Sequence, residues 1–505
     1  MPVHGATDGG WSSTRGRVLA SARVGVLARW VTPGLVDEVV AAAGRGQRRF
    51  RALPARLVVY FVLGLCLYSH LPYPAVVKEL ASGMARALRA AGWRVPSSTA
   101  LTSARRRVGD KPFELLLGRV CPALPAAAAG PWSHICGLLA VAWDGTTVTA
   151  PASPPNIAAF GRQRGHHYPQ LRLVTLVACG TRALIGAAIG PMRGPGSGER
   201  ALAGGLPGHL RRGMLLIADR GFCSYRLWQA AAGTGADLLW RVTANMHLPV
   251  ARALPDRSWL SVLPDPVAAQ RRAVRNGHRR RRGSTLPQET GPLPGITVRV
   301  IEFYVHVDTD DGRTRTERYR LITTLLDPAA APAADLAAGY AWRWAIETGL
   351  REFKTYLRGP GRTLRGRTPA LARQELWAYL VIYQAIRAVI CAAAARSNLD
   401  PDRISFTTTL HAIRRTLPAA RTSPRAALAE TQADILSTPV PARPGRLCIR
   451  AVAEPRSAFP RKHSGNIKTP LSQHASYTLT INPAAQTPYT ASQAQQPQHQ
   501  QAQPP

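Results

Sequence analysis

The sequence predicts an α/β core that is flanked by helical segments and interrupted by a β-rich stretch. Three observations support this. Between residues 131 and 244, short apolar runs closed by Gly or by Asp-containing turns alternate with a segment of helical period. On either side of that region apolar residues recur at spacings of three and four. Between 245 and 322 the pattern changes again, to strand-like runs around the turn signal "DTDDGR".

In chain order, a helical N-terminal domain is expected over 16–130. "LARWVTPGLVDEVVAAAG" and "LPARLVVYFVLGLCLYSHL" carry its apolar periodicity. In "VPSSTALTSARRRVGDKPFELLLGRV", Ser97 or Ser98 offers a helix N-cap, Gly109 a stop, and a second helix follows. Two helices around a tight turn with a basic first member fit either a DNA-contacting module or a solvated basic face. The first part of the core, 131–244, holds the buried strands "ICGLLAVAWDG", "LRLVTLVACG", "RALIGAAIG" and "GMLLIADRGF". A helix in "SYRLWQAAAGTG" and a fifth strand, "ADLLWRV", follow. The insertion, 245–322, includes the run Arg279 to Arg282, read as a solvated loop facing DNA or as an uncommitted surface loop. A second helical part of the core over 323–395 and C-terminal helices over 396–433 come next. The Pro-, Gln-, Ser- and Thr-rich tail, 434–505, is expected to be disordered.

Composition narrows the function. The chain has 505 residues and is 46% hydrophobic, enough for two or three cored domains. Sixty-five Lys and Arg against 28 Asp and Glu give a formal charge of +37, which points to a polyanion and foremost to nucleic acid. A GC-rich genome explains why Arg replaces Lys, but not why acids are scarce. Seven scattered cysteines without a CxxC pair indicate neither a disulfide framework nor structural zinc, and they fit a reducing cytoplasm. "LVVYFVLGLCLY" is too short to span a bilayer. Gln384 and Arg387 inside "LWAYLVIYQAIRAVICAAAA" favour a buried helix over a membrane span.

Two aspartates, Asp144 in "LLAVAWDG" and Asp219 in "MLLIADRG", read as ending apolar strands, where ligands sit in open α/β sheets. In "YAWRWAIETGLREFK", read as one helix at 100° per residue, Tyr340, Arg343, Glu347 and Lys354 fall within about 60° of one another. A simple i, i+4 ion pair between Arg343 and Glu347 is the plainer alternative. In the combined reading, Asp144, Asp219 and Glu347 hold two divalent cations for in-line displacement at phosphorus. Tyr340, Arg343 and Lys354 then contact DNA phosphates. The tryptophans of the segment chiefly anchor the helix.

The spacing Y-x2-R-x3-E-x6-K, met by Tyr340, Arg343, Glu347 and Lys354, together with Asp144 in "WDGTTV" and Asp219 in "ADRGF", resembles the DDE transposases of the IS-four insertion-sequence family over roughly residues 16 to 395. The resemblance implies a ribonuclease-H-like α/β catalytic core interrupted by the β-rich insertion. It also implies magnesium, with manganese as a substitute, held by Asp144, Asp219 and Glu347. The partners implied are double-stranded DNA, as terminal inverted repeats and as target, and a second copy in a synaptic dimer. The reaction implied is cut-and-paste transposition through DNA hairpins, by a cytoplasmic, nucleoid-associated enzyme. Spacings of 75 residues from Asp144 to Asp219 and 128 from Asp219 to Glu347 leave room for the insertion. The rival readings are a catalytically inactive, transposase-derived DNA-binding protein and a metal-dependent nuclease without strand transfer. Trp240 and Trp259 are candidates for stacking on a flipped base, with core packing the plainer role for Trp240. His166 and His167 could approach DNA or metal, or simply form a turn before a strand.

Overall fold

The structure, a computed structural model, describes residues 25–46, 53–82, 89–90, 92–121, 130–281, 291, 293–309, 314–416, 424–441 and 475–481. It is mixed α/β and divides into two compact units. One unit runs through His134 and resumes over Leu139–Met214 and Arg343–Pro441. The other takes Ile135–Leu138, Leu215–Trp342 and Ala442–Pro505. These bounds cut across the segments expected from sequence. The stretch from Leu215, including Asp219, groups with the insertion, and the run "YAWRWAIETGLREFK" divides between Trp342 and Arg343.

In the first unit three strands pair antiparallel in the order β3–β2–β1, with β1 at Leu138–Thr149, β2 at Gln170–Ala178 and β3 at Leu184–Pro191. Their β-branched residues suit a pleated, buried surface. The helix Pro369–Arg396 runs through the core of this unit, capped where the Thr368 hydroxyl accepts from the Leu371 amide. It is long and apolar enough to cross a membrane, yet 89% of its apolar window is buried by protein. The two polar residues that argued against a membrane span have partners inside that core. Gln384 bridges both backbone groups of Leu184 at 2.7 and 3.1 Å, tying the helix to β3, and Arg387 pairs with Glu352.

The N-terminal helices pack on the same long helix. Ala55–Leu67 is buried except at Arg56 and Leu57. Ser98–Val108 begins at Ser97, whose hydroxyl accepts from Ala100 at 3.2 Å, and ends at Gly109, where φ of 71° favours glycine. The basic face anticipated on this helix is smaller than its sequence suggests. Arg105 is fully buried, with Nε 2.9 Å from Gln374 Oε1 and Nη2 3.3 Å from the Leu371 carbonyl, so only Arg106 and Arg107 of "RRR" remain exposed. The C-terminal helices expected over 396–433 are Phe406–Thr416 and Pro424–Leu436.

In the second unit the strand order is β4–β5–β8–β7–β6. Here β4 is Met214–Ala218, β5 Asp237–Arg241, β6 Trp259–Pro264, β7 Gly295–Thr309 and β8 Thr314–Thr323. The β4–β5 pair is parallel, joined by the helix Tyr225–Ala232, and the other pairs are antiparallel. The rings of Trp228 and Trp240 pack edge to face at 5.1 Å, and both are fully buried. Trp259 is 4% exposed and donates from Nε1 to the Leu248 carbonyl at 3.2 Å. Both candidate base-stacking tryptophans are therefore core residues in this fold.

Two expectations differ from the structure. The arginine run read as a loop continues a helix, Pro266–Arg281, started by Asp265 and by Pro266 at its first position; Arg282 lies outside the described residues. In the tail expected to be disordered, Ala475–Ile481 forms a strand antiparallel to β7, with Leu479 opposite Val305. The alternation in "ASYTLTI" satisfies the period-two rule that the composition of the tail as a whole conceals. The rest of the tail beyond residue 441 lies outside the described residues.

Candidate active site

Asp144 occupies the middle of β1 rather than its end, opposite Thr175 on β2. The pairing continues to Thr149 because Gly145, Thr146, Thr147 and Val148 keep extended geometry and bond to β2. Side chains alternate along a strand, so Asp144 and Thr146 project to one face and Gly145 to the other. On the Gly145 face Glu199 packs so closely that a Cβ at residue 145 would lie 2.5 Å from its carboxyl carbon; Glu199 is paired with Arg172 at 3.0 Å.

The carboxyl of Asp144 is half-buried and accepts from the Gly145 amide at 2.8 Å. Burial, joined by the negative charges of Glu347 and Glu199, pushes it up to about 6, against the lowering influence of the Gly145 amide and Arg343. Two residues along the same face, Thr146 Oγ1 accepts from Lys354 Nζ at 2.9 Å. Burial of its ammonium and the neighbouring Arg358 lower the Lys354 pKa, while Asp144 opposes the shift.

The segment carrying Glu347 is not one regular helix. Ala333–Tyr340 is followed by a 3-10 turn at Ala341–Arg343, an α-helix at Trp344–Arg351 and a π-helix at Glu352–Leu357. The constant 100° step therefore does not hold across it. Within the first unit, Arg343 and Glu347 form the i, i+4 ion pair at 2.9 Å, Arg343 being 12% exposed and Glu347 44%. The π turn, marked by the Arg358 amide bonding five residues back to Phe353, carries Lys354 to β1. It is held by Glu352, whose carboxylate binds Arg182 at 2.9 Å and also Arg387. Gly349 sits where a Cβ would come 2.9 Å from the Tyr383 hydroxyl, so the helix can approach Pro369–Arg396 only without a side chain there.

Two other expected site residues, Tyr340 and Asp219, fall in the second unit. Tyr340 belongs to the second unit, is 4% exposed, and packs edge to face on Tyr319 at 6.1 Å. That environment suits packing and keeps its hydroxyl from the surface, contrary to the phosphate contact expected of it. Asp219 also belongs to the second unit; it directly follows β4, as a strand-end aspartate should, and accepts from the Arg220 amide at 2.7 Å. His166 and His167 are exposed in the turn before β2. Trp344, grouped with the anchoring tryptophans, is instead 50% exposed, with the Arg343 guanidinium 5.9 Å from its ring. Among the described residues no group of three His, Cys, Asp or Glu is gathered closely enough to ligate a metal.

Comparison with known proteins identifies the family. A family model described as the insertion element 4 transposase N-terminal region matches residues 21–118, and one described as the transposase DDE domain matches residues 136–384. The transposase InsG for insertion sequence element IS4 of Escherichia coli (strain K12) is 27% identical over 447 residues, covering 86% of this chain and 93% of that protein. The chain belongs to the IS4 family of DDE transposases. A putative transposase, y4zB, of Sinorhizobium fredii (strain NBRC 101917 / NGR234) is 29% identical over 193 residues, 37% of this chain and 45% of that protein. Among solved structures, a cryo-EM structure of the piggyBac transposase synaptic complex with hairpin DNA covers 83% of this chain and 85% of its own, with a TM-score of 0.40 and 10% identity.

This IS4-family chain is therefore a DNA transposase, an enzyme of a class that depends on divalent metal. The residues of the first unit suit such an ion. Asp144 and Glu347 present carboxylate oxygens, the donors a hard cation takes, and each lies within electrostatic reach of the other. A carboxyl already destabilised by burial and by like charge gains from a cation placed against it. The sequence missed Thr146, Glu352 and the exposed Trp344. Thr146 could have been found as the next same-face residue after Asp144, but nothing local marks Glu352, whose partners are 170 and 35 residues away.

Proposed function

We propose that this transposase cuts DNA at transposon ends and joins the freed ends to target DNA by two in-line displacements at phosphorus, with Asp144, Asp219 and Glu347 as the catalytic, metal-holding carboxylates. The observation that carries the reading is the environment of Asp144: a carboxyl held mid-strand, raised to about 6, with Glu347, Arg343 and Lys354 acting on it or beside it. Such a perturbed acid with defined charged neighbours is the mark of a functional site. Bound magnesium, with manganese as its substitute, would activate the attacking hydroxyl and stabilise the leaving oxygen.

The chain's own residues supply the rest. Asp144 and Glu347 each bring a carboxylate, and the Arg343 guanidinium orients Glu347 from one turn away. Glu347 is exposed enough to exchange Arg343 for another cation, which frees the guanidinium to fork onto a phosphate. Lys354, positioned by Thr146, adds a point charge two residues along β1 from Asp144. Tyr340 serves by packing on Tyr319. In the first displacement water attacks phosphorus and a 3′ oxygen leaves. In the second, that 3′ hydroxyl attacks a target phosphodiester. Two copies acting together, one per transposon end, on chromosomal DNA at the nucleoid in the cytoplasm, complete the proposal.

The test is an assay with purified protein, labelled terminal repeats, a target plasmid and magnesium. The wild type is expected to yield cut ends and joined products. Asp144→Asn, Asp219→Asn and Glu347→Gln are each expected to lose cleavage by at least a hundredfold while still shifting the end DNA. Retained cleavage in any one variant removes that residue from the site. Cut ends without joined product in the wild type identify a nuclease, and binding without cleavage an inactive derivative.

A further inference from the structure

We propose that Arg182 is a positioning residue for the reaction: by clamping Glu352 it fixes the π turn Glu352–Leu357 and so holds the Lys354 ammonium on β1 beside Asp144. The inference rests on the proposed role of Lys354 at the phosphates of bound DNA. Arg182 lies in the tight turn between β2 and β3, flanked by the buried Thr181 and Ala183, and its φ of 52° places it in the left-handed region. A residue with a Cβ is disfavoured there, and glycine is the usual occupant. Such a residue persists where its surroundings over-determine it, and residues of this kind gather at functional sites. Both ends of Arg182 are held in this way. Its carbonyl accepts from the Tyr383 hydroxyl at 3.1 Å. Its guanidinium forks between two acids, with Nη1 2.9 Å from Glu352 Oε1 and Nη2 2.5 Å from Asp402 Oδ2.

What the fork fixes is the segment that carries the site. Glu352 opens the π turn with its carboxylate buried in the core, while Lys354, two residues on, reaches Thr146 on β1. A π turn is a rare geometry that tertiary contacts must retain. Its relaxation to α geometry would rotate Lys354 about the axis and draw it from Thr146. Arg182 approaches Glu352 from the turn joining β2 to β3, and β2 pairs with β1 at Asp144, opposite Thr175. The clamp therefore refers the place of Lys354 to the same sheet that holds Asp144. Asp402, in the 3-10 turn Pro401–Arg403 after the long helix, binds the other arm of the guanidinium and keeps Arg182 from following Glu352 if the π turn moves. Folding does not need the fork to the same degree. Glu352 keeps Arg387 when Arg182 is removed, so its buried carboxylate is not left unpaired.

The experiment uses the full chain in excess over labelled terminal-repeat DNA with magnesium, so that cleavage rate per protein–DNA complex and affinity are read separately. Arg182→Gly suits the left-handed turn but removes the fork, and it should slow cleavage per complex by about ten- to a hundredfold. Its affinity should fall no further than that of Lys354→Ala, and its thermal midpoint should stay above the assay temperature. Arg182→Lys, which keeps a cation against Glu352, should recover most of the rate. Because Arg182 acts through Lys354, Arg182→Gly/Lys354→Ala should cut no slower than Lys354→Ala alone. If Arg182→Gly does not fold, Arg182→Gln takes its place with the same expected pattern. A wild-type rate per complex in Arg182→Gly, no recovery in Arg182→Lys, or a further loss of about tenfold in the double variant overturns positioning of Lys354 by Arg182. Wild-type cleavage by Lys354→Ala instead overturns the role of Lys354 at the site, and this inference with it.

Discussion

Asp144 shows what one residue's surroundings do to its chemistry and to the stability of the chain. Its carboxyl is raised to about 6, above the ordinary value near 3.9, so the folded chain holds the proton more tightly than the unfolded chain does. The stabilisation from that proton is complete below about pH 4 and is lost as pH rises through about 6, above which the ionised group costs on the order of 3 kcal/mol. Asp144→Asn, which cannot ionise, should therefore melt higher than wild type at pH 7.5 in EDTA, and the difference should vanish below pH 4. Adding a divalent cation at pH 7.5 should raise the wild-type midpoint and leave the variant's unchanged. Thermal melts across pH with and without metal check both statements. Glu347 differs, because its pair with Arg343 is 44% exposed on the acid side and such pairs contribute at most about 1 kcal/mol. Glu347→Gln should thus fold normally, so its loss of cleavage would report chemistry rather than unfolding.

Between Ala333 and Leu357 the sequence displayed the functional spacing but not the element that realises it. Periodicity reports which side chains share a face; it does not report whether an amide bonds three, four or five residues back. The change to a π turn at Glu352–Leu357 is secured by Arg182, Arg387 and Tyr383, which reach Glu352 from the loop before β3 and from the long helix Pro369–Arg396. Arg387 is fully exchanged from water for this contact, and breaking one side of such a buried pair costs about 3–5 kcal/mol. Glu352→Gln should accordingly lower stability by that order, measured by denaturant unfolding, whereas Glu347→Gln five residues earlier should change it by less than 1 kcal/mol. Equal effects at the two positions would show that the π turn does not depend on the buried network. In Pro266–Arg281 the reverse holds: the arginine run suggests a solvated loop by its charge, while Asp265 and Pro266 just before it mark a helix start.

Across the whole molecule, the strands of 131–244, the long buried helix and the family signature were legible, because hydrophobic period and motif spacing are local properties of the chain. The grouping into units was not, since it depends on which distant segments pair: β5 with β8, for example, across 76 residues between Arg241 and Glu317. Nor was the strand Ala475–Ile481, because seven alternating residues disappear in the average over a tail rich in Pro, Gln and Ser. That strand lies on the part of β7 from Phe303 to Thr309 and covers backbone groups that would otherwise form an open edge, the feature by which sheets recruit other chains. A chain ended at residue 441 should keep its fold but expose this edge. Light scattering after size-exclusion chromatography should then show concentration-dependent self-association that a chain ended at residue 485 lacks. Identical elution and mass for the two truncations, at matched concentrations up to about 100 μM, would mean that the tail strand protects nothing.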